Sequence, residues 1–196
     1  MGLVSIRHGS GIYLSRGDPI NGVWSTRWMQ WVLQHAPSLL EMFEVREAIE
    51  AKAASLAARQ ASAAEMRRLE RILTEADALL ARGRAHLDEE FLRSYVRLDA
   101  AFHETVAEIT HNGFLRSLLA ALGSALAESR EATLAMPGRI ERSLREHWRV
   151  LEAVRRRDAE GARRAMEDHM RRVIQEVRSV KVLHRPNRQP GTERGR

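Results

Sequence analysis

The sequence predicts an all-α fold, an antiparallel bundle of six to seven helices, with a β-hairpin in front of it. Three observations predict this. Beyond residue 22, apolar residues recur at helical spacing in segment after segment. The breaks between segments carry helix caps and helix stoppers: Pro37-Ser38, Ser62, Asp88, Asn112-Gly113, Pro137-Gly138 and Asp158. Period-two alternation occurs only within the first fourteen residues.

Taken in order, Val4 and Ile6 alternate with Ser5 and Arg7. A His8-Gly9-Ser10-Gly11 turn follows, and Ile12 and Leu14 then flank Tyr13. This reads as a hairpin, and one hairpin alone is marginal in water, so it belongs with something larger. Residues 15–21 are a turn-rich linker. Trp24, Trp28 and Trp31 stand at i, i+4 and i+7, one face of a short helix that Pro37-Ser38 ends. The next helix runs from about Leu39 to Arg59, with Leu39, Met42, Phe43, Ile49 and Ala53 as its candidate core face. Ser62 followed by Glu65 is a capping box. It opens a helix striped by Met66, Leu69, Ile72, Leu73, Ala76, Leu79 and Leu80. Asp88 caps the next, striped by Phe91, Tyr95, Leu98, Phe102, Val106 and Ile109. Asn112-Gly113 is expected to end that helix, since both residues tolerate the left-handed conformation. One helix is expected over roughly Phe114–Leu134. After Pro137-Gly138, two more cover about 139–156 and 159–179, with Asp158 as the cap between them. The organisation expected is a hairpin over 1–14, a linker over 15–21, a bundle over 22–180 and a disordered basic tail over 181–196.

Composition narrows the function classes. A chain of 196 residues is long enough for one domain with a real core. The absence of cysteine excludes disulfides, thiolate metal sites, iron–sulfur clusters and cysteine nucleophiles. Any metal must be held by His, Asp, Glu or carbonyl oxygens. No apolar run approaches the ~18 residues of a membrane helix, and the N-terminus has no secretory pattern. A cytoplasmic protein is the expectation. The net charge of +6 favours anionic partners without choosing one.

The informative feature is an irregularity in the stripes. In the helix after Pro137 the inward positions are Ile140, Leu144, His147, Leu151 and Val154. In the last helix they are Ala162, Ala165 or Met166, His169, Val173 and Val177. Asp99 and His103 lie four apart beside the Leu98–Phe102–Val106 stripe. Burying one polar group without a partner costs on the order of 2–7 kcal/mol. A single such residue is readily a satisfied core histidine. Four on three helices either converge on one cation or form a buried hydrogen-bond network. Three His and one carboxylate suit zinc, but also nickel, manganese or iron. The remaining histidines (His8, His35, His86, His111, His184) read as solvated.

At these residues the sequence resembles the ligand-binding C-terminal (FCD) domain of FadR-type regulators in the GntR family of bacterial transcription factors. The landmarks are Phe43-Glu44-Val45-Arg46-Glu47-Ala48-Ile49-Glu50, Leu98-Asp99-Ala100-Ala101-Phe102-His103, Glu146-His147, Asp158-Ala159-Glu160-Gly161-Ala162 and Met166-Glu167-Asp168-His169. They span about Leu39 to Val177 and are specific in combination. The extra Trp-bearing helix is similar to the FadR subgroup. The resemblance implies a divalent cation held by Asp99, His103, His147 and His169, a small carboxylate effector, a homodimer and no membrane association. It implies Arg46 as a carboxylate clamp; the competing reading pairs Arg46 with a glutamate.

The hairpin resembles the wing of a winged helix-turn-helix, in which Arg7, Gly9 and Gly11 would approach DNA. The helices that precede a wing in that family are not in this sequence, so specific operator binding is not expected of this chain, only of a full-length regulator. Two other readings compete with the sensor. A hydrolase-like helical metalloenzyme would use the same His/Asp site. However, Glu104 and Glu146 adjoin ligands in sequence and so point about 100° away from them. A plain interaction bundle would hold no metal.

Overall fold

Alternation over the first residues closes an antiparallel pair, β1 (Val4–Arg7) and β2 (Gly11–Leu14), with Val4 opposite Leu14 and Arg7 opposite Gly11. The computed structural model describes residues 4–7, 11–14, 39–83 and 88–183. The expected linker over 15–21, the Trp24–Trp28–Trp31 helix, Gly9 and the tail from residue 184 lie outside the described residues.

Seven helices follow among the described residues: α1 (Leu39–Gln60), α2 (Ala63–Gly83), α3 (Glu89–Ile109), α4 (Gly113–Ala125), α5 (Ala127–Leu134), α6 (Arg139–Arg155) and α7 (Ala159–Leu183). Their boundaries have local causes. The Ser62 amide donates to Glu65 Oε2 (2.8 Å) and the Glu65 amide to Ser62 Oγ (3.3 Å), the reciprocal capping box at the start of α2. Asp88 accepts from the Phe91 amide (2.8 Å) and opens α3. Asp158 accepts from the Gly161 amide (2.8 Å) and opens α7. Gly138 takes φ +68° at the start of α6, where a side chain would be strained.

Two expectations are corrected. Asn112-Gly113 does not end α3 in a left-handed turn. His111 takes the positive φ (50°), while Asn112 is extended and accepts from the Leu115 amide (3.0 Å) as the N-cap of α4. The helix expected over 114–134 is two helices. Leu126 leaves helical geometry (φ −101°, ψ 8°) while fully buried, and this divides the segment at one residue. The break lets α4 pack on α1 and α3, while α5 reaches α3, α6 and α7.

The most extensive contact joins α1 to α7. Ala51, Ala53, Ala54, Ala57 and Ala58 of α1 are all buried, and such small side chains let helix axes approach closely. The core is continuous. Phe43, Leu69, Leu73, Tyr95, Phe102, Val106, Ile109, Leu151, Val154, Met166 and Met170 are essentially inaccessible. Burial of such side chains is worth roughly 1.5–3 kcal/mol each relative to exposure. Tyr95 anchors α3 to α6 through a bond from its hydroxyl to the Ile140 carbonyl (3.2 Å). Trp148 of α6 donates to Asp77 of α2 (2.8 Å). Among the described residues, no helix is long and apolar enough to cross a membrane.

Candidate metal centre

Helical periodicity places Asp99 and His103 one turn apart on α3, and helix packing brings His147 of α6 and His169 of α7 to the same point. All four side chains are buried. One ring nitrogen from each histidine lies within 4.8 Å of the others. The ring centroids stand 4.7–5.3 Å apart. Asp99 closes the fourth side, its Oδ1 3.8 Å from His147 Nε2 and its Oδ2 4.0 Å from His103 Nε2. Donors around a four-coordinate cation with ~2.0–2.1 Å bonds stand about 3.3 Å apart. A cavity of about 20 Å³ lies beside the cluster, lined in part by Asp99, His103 and His169.

The outer nitrogens are committed. His103 Nδ1 donates to Glu50 Oε2, and His169 Nδ1 donates to Glu146 Oε2 (2.8 Å). An ionised carboxylate only accepts, so both rings carry a proton on Nδ1, and Nε2 is the nitrogen left to face inward. The third ring, His147, stacks on Phe102 (centroids 4.2 Å apart), and its buried Nε2 has no hydrogen-bond partner. An orphaned buried nitrogen facing a carboxylate and two lone pairs fits a cation better than a completed hydrogen-bond network.

The electrostatics agree. Burial holds the His147 imidazole well below its ordinary range. Burial also lowers His103, against the opposing pull of Glu50. Both are therefore neutral near pH 7, the form that ligates metals. Burial alone raises the Asp99 carboxyl, but at acid pH the protonated His103 and His147 rings, together with Arg130, outweigh it and hold it below the ordinary carboxylate range. Against the same cost of burial, Arg46 and His103 keep Glu50 ionised. The His169 hydrogen bond and Arg139 bring Glu146 down to about 2.

Arg46 pairs through Nε with Glu50 (2.5 Å), and it also lines the cavity beside the histidines. The observed contact is the pairing with a glutamate, the competing sequence reading of this residue. A second cavity, about 580 Å³, opens between α1, α3, α4 and α5 and is lined by Arg46, Glu50, His103 and Arg130 at its inner end. That volume lies in the ordinary range of small-molecule pockets.

Sequence reasoning missed four residues. Glu50 and Glu146 orient the histidines. Ser143 donates to Asp99 Oδ1 (3.1 Å), and Arg130 faces Asp99 Oδ2 (3.3 Å). Glu146 does point away from His147, as helix geometry requires, and meets His169 on the neighbouring helix. A signal existed for Glu50, a charged residue within the alanine-rich core of α1 and one turn from Arg46. None existed for Arg130, whose orientation depends on the break at Leu126.

Comparison with known proteins places this geometry in a family setting. Residues 41–172 match the FCD domain. The chain is 29% identical over 178 residues to the HTH-type transcriptional regulator LutR of Bacillus subtilis (strain 168), covering 88% of this chain and 76% of that protein. It is 27% identical over 167 residues to the galactonate operon transcriptional repressor of Escherichia coli (strain K12), covering 83% and 69%. A Streptococcus agalactiae GntR structure shares the fold with a TM-score of 0.55 at 22% identity, covering 88% of this chain and 74% of that one.

Proposed function

The chain belongs to the FCD-domain family of GntR-type transcriptional regulators, and from that premise we propose that it senses a small organic acid at a buried divalent cation held by Asp99, His103, His147 and His169. One observation carries the reading. Three inward lone pairs from three helices, two of them fixed by buried carboxylates, converge where His147 Nε2 has no other partner. Zinc suits the donor set best, with nickel, manganese and iron as the other candidates. When bound, such a cation supplies a positive landing point for an anionic oxygen.

Charge balance supports an anionic effector. Glu50, Asp99 and Glu146 set three carboxylates around the site, and Arg46, Arg130 and Arg139 set three guanidiniums against them. A divalent cation added to this balanced set leaves positive charge that a carboxylate offsets. Arg46 orients that carboxylate from the inner end of the larger cavity. A relative named for galactonate, a sugar acid, is in keeping with this class.

In the whole regulator the effector bundle, residues 22–180, acts within a homodimer and transmits effector binding to DNA-binding domains. Arg7, Gly9 and Gly11 of the hairpin contribute there as wing residues. A cytoplasmic location follows from that role. The relatives are regulators and not enzymes. In keeping with this, both Glu146 oxygens are occupied by His169, Arg139 and Arg172 and supply no free base.

Elemental analysis of the purified protein, followed by thermal melts with added zinc and a panel of metabolite acids, tests the proposal. Bound metal and a melting point raised by zinc and raised again by one acid are expected. Stability indifferent to divalent ions, and unchanged when Asp99, His103, His147 and His169 are all replaced by Ala, would refute it.

A further inference from the structure

Three residues line both the small cavity at the histidines and the large one: Arg46, His103 and Arg130. Arg46 holds Glu50 through its Nε, at 2.5 Å. Arg130, from the middle of α5, is not committed in the same way. Its side chain is 11% exposed, and its buried Nε lies 3.3 Å from Asp99 Oδ2 without an aligned hydrogen bond. Among the described residues, Asp99 is its one ion-pair partner within 4 Å. Asp99 Oδ1 is held by Ser143, so Oδ2 faces both the Arg130 guanidinium and, at 4.0 Å, His103 Nε2. One oxygen is therefore claimed by two cations, the guanidinium and any ion placed among the histidines.

We propose that Arg130 is the coupling residue between the two cavities: a carboxylate entering the large cavity draws the Arg130 guanidinium off Asp99, which hands Oδ2 to the cation. The inference rests on the metal-and-effector reading above and adds the regulation of that site. Its physics is short. Without an anion, the guanidinium screens Asp99 and repels a divalent ion. With one, the planar fork of donors finds a better partner, since guanidinium–carboxylate pairs accept two parallel bonds. Anion and cation then tighten each other's binding by the same factor, as linkage requires. The ligand class is a small organic carboxylate, because the cavity wall sets Arg97, Arg116 and Ser124 beside the apolar Val96, Ala100 and Leu119.

The test is a zinc titration of the full chain in a chelator-buffered series, with sodium acetate replacing sodium chloride at constant ionic strength. Acetate is expected to tighten zinc binding of the wild type by about five-fold or more, the lower end of ordinary coupling. Arg130→Gln is expected to bind zinc at least as tightly as the wild type in chloride and to lose the acetate effect. Arg130→Lys keeps the charge without the fork, and is expected to lose at least half of the effect. It decides the matter if the Gln variant does not fold. A wild type that binds zinc without an acetate effect overturns the coupling. So does an undiminished effect in Arg130→Gln or Arg130→Lys, because acetate would then act on the cation alone. A wild type that binds no zinc in either salt instead refutes the metal site itself.

Discussion

Glu146 is the most exposed point of the reasoning to experiment, because one carboxylate serves both stability and the site. It accepts from His169 Nδ1 (2.8 Å), Arg139 Nη1 (3.2 Å) and Arg172 Nη1 (2.9 Å). Glu146→Ala removes all three. Arg172 is 43% exposed, so its loss counts for at most about 1 kcal/mol. The Arg139 side chain is 2% exposed, and breaking a buried pair costs about 3–5 kcal/mol. Arg139 keeps Glu176 at 2.6 Å, which places the expected loss near the lower end, about 3 kcal/mol. For a chain of this length that is a fall in melting temperature of about 6–12 °C. The unmoored His169 ring should also weaken zinc binding by about 10–100-fold. Urea and thermal unfolding, each with and without zinc, measure both effects. The double variant Arg139→Met, Glu146→Leu separates them: it removes the unpaired guanidinium at the cost of the Glu176 pair, so part of the stability returns while zinc binding stays weak. A Glu146→Ala protein that melts within about 2 °C of the wild type, and binds zinc equally well, would refute the reasoning.

Four further outcomes are expected. Ser62→Ala should cost about 0.5–2 kcal/mol in thermal unfolding through the lost cap of α2. Hydrogen bonds from Ser62 hold Glu65 down to about 2, so its contribution is complete above about pH 4.5 and is lost as pH falls toward 2. Amide exchange at 63–66 should speed up over that window. Phe102→Ala should cost about 3–5 kcal/mol and weaken zinc binding, because it removes both a fully buried ring and the surface on which His147 stacks. In metal-free protein, the lowered His147 favours the folded state fully above pH 6.5 and progressively less below it. The acid-side fall in melting temperature below pH 6.5 should therefore shrink in His147→Leu, and an unchanged fall would remove this account.

Some of the fold and site was legible because its causes are local. Helix periodicity and caps mark α1, α2, α3, α6 and α7. The same periodicity identifies Asp99, His103, His147 and His169 as inward-facing before any packing is known. The division of the 114–134 segment was not legible. Leu126 fits a continuous helix by sequence, and only the structure shows it buried at a break.

The sequence by itself determined the all-helical class and the inward direction of four ionisable side chains, since each depends on spacing along one helix; the family came from the resemblance of its landmark motifs taken together. The tertiary structure alone decided that Glu50 holds His103, that Glu146 holds His169 across a helix boundary, and that Arg130 reaches Asp99 from α5. These contacts join residues 23 to 53 positions apart, and no local rule of propensity or periodicity relates them. They arise from which helices pack together and at what rotation, and that is settled by the shape of the whole core.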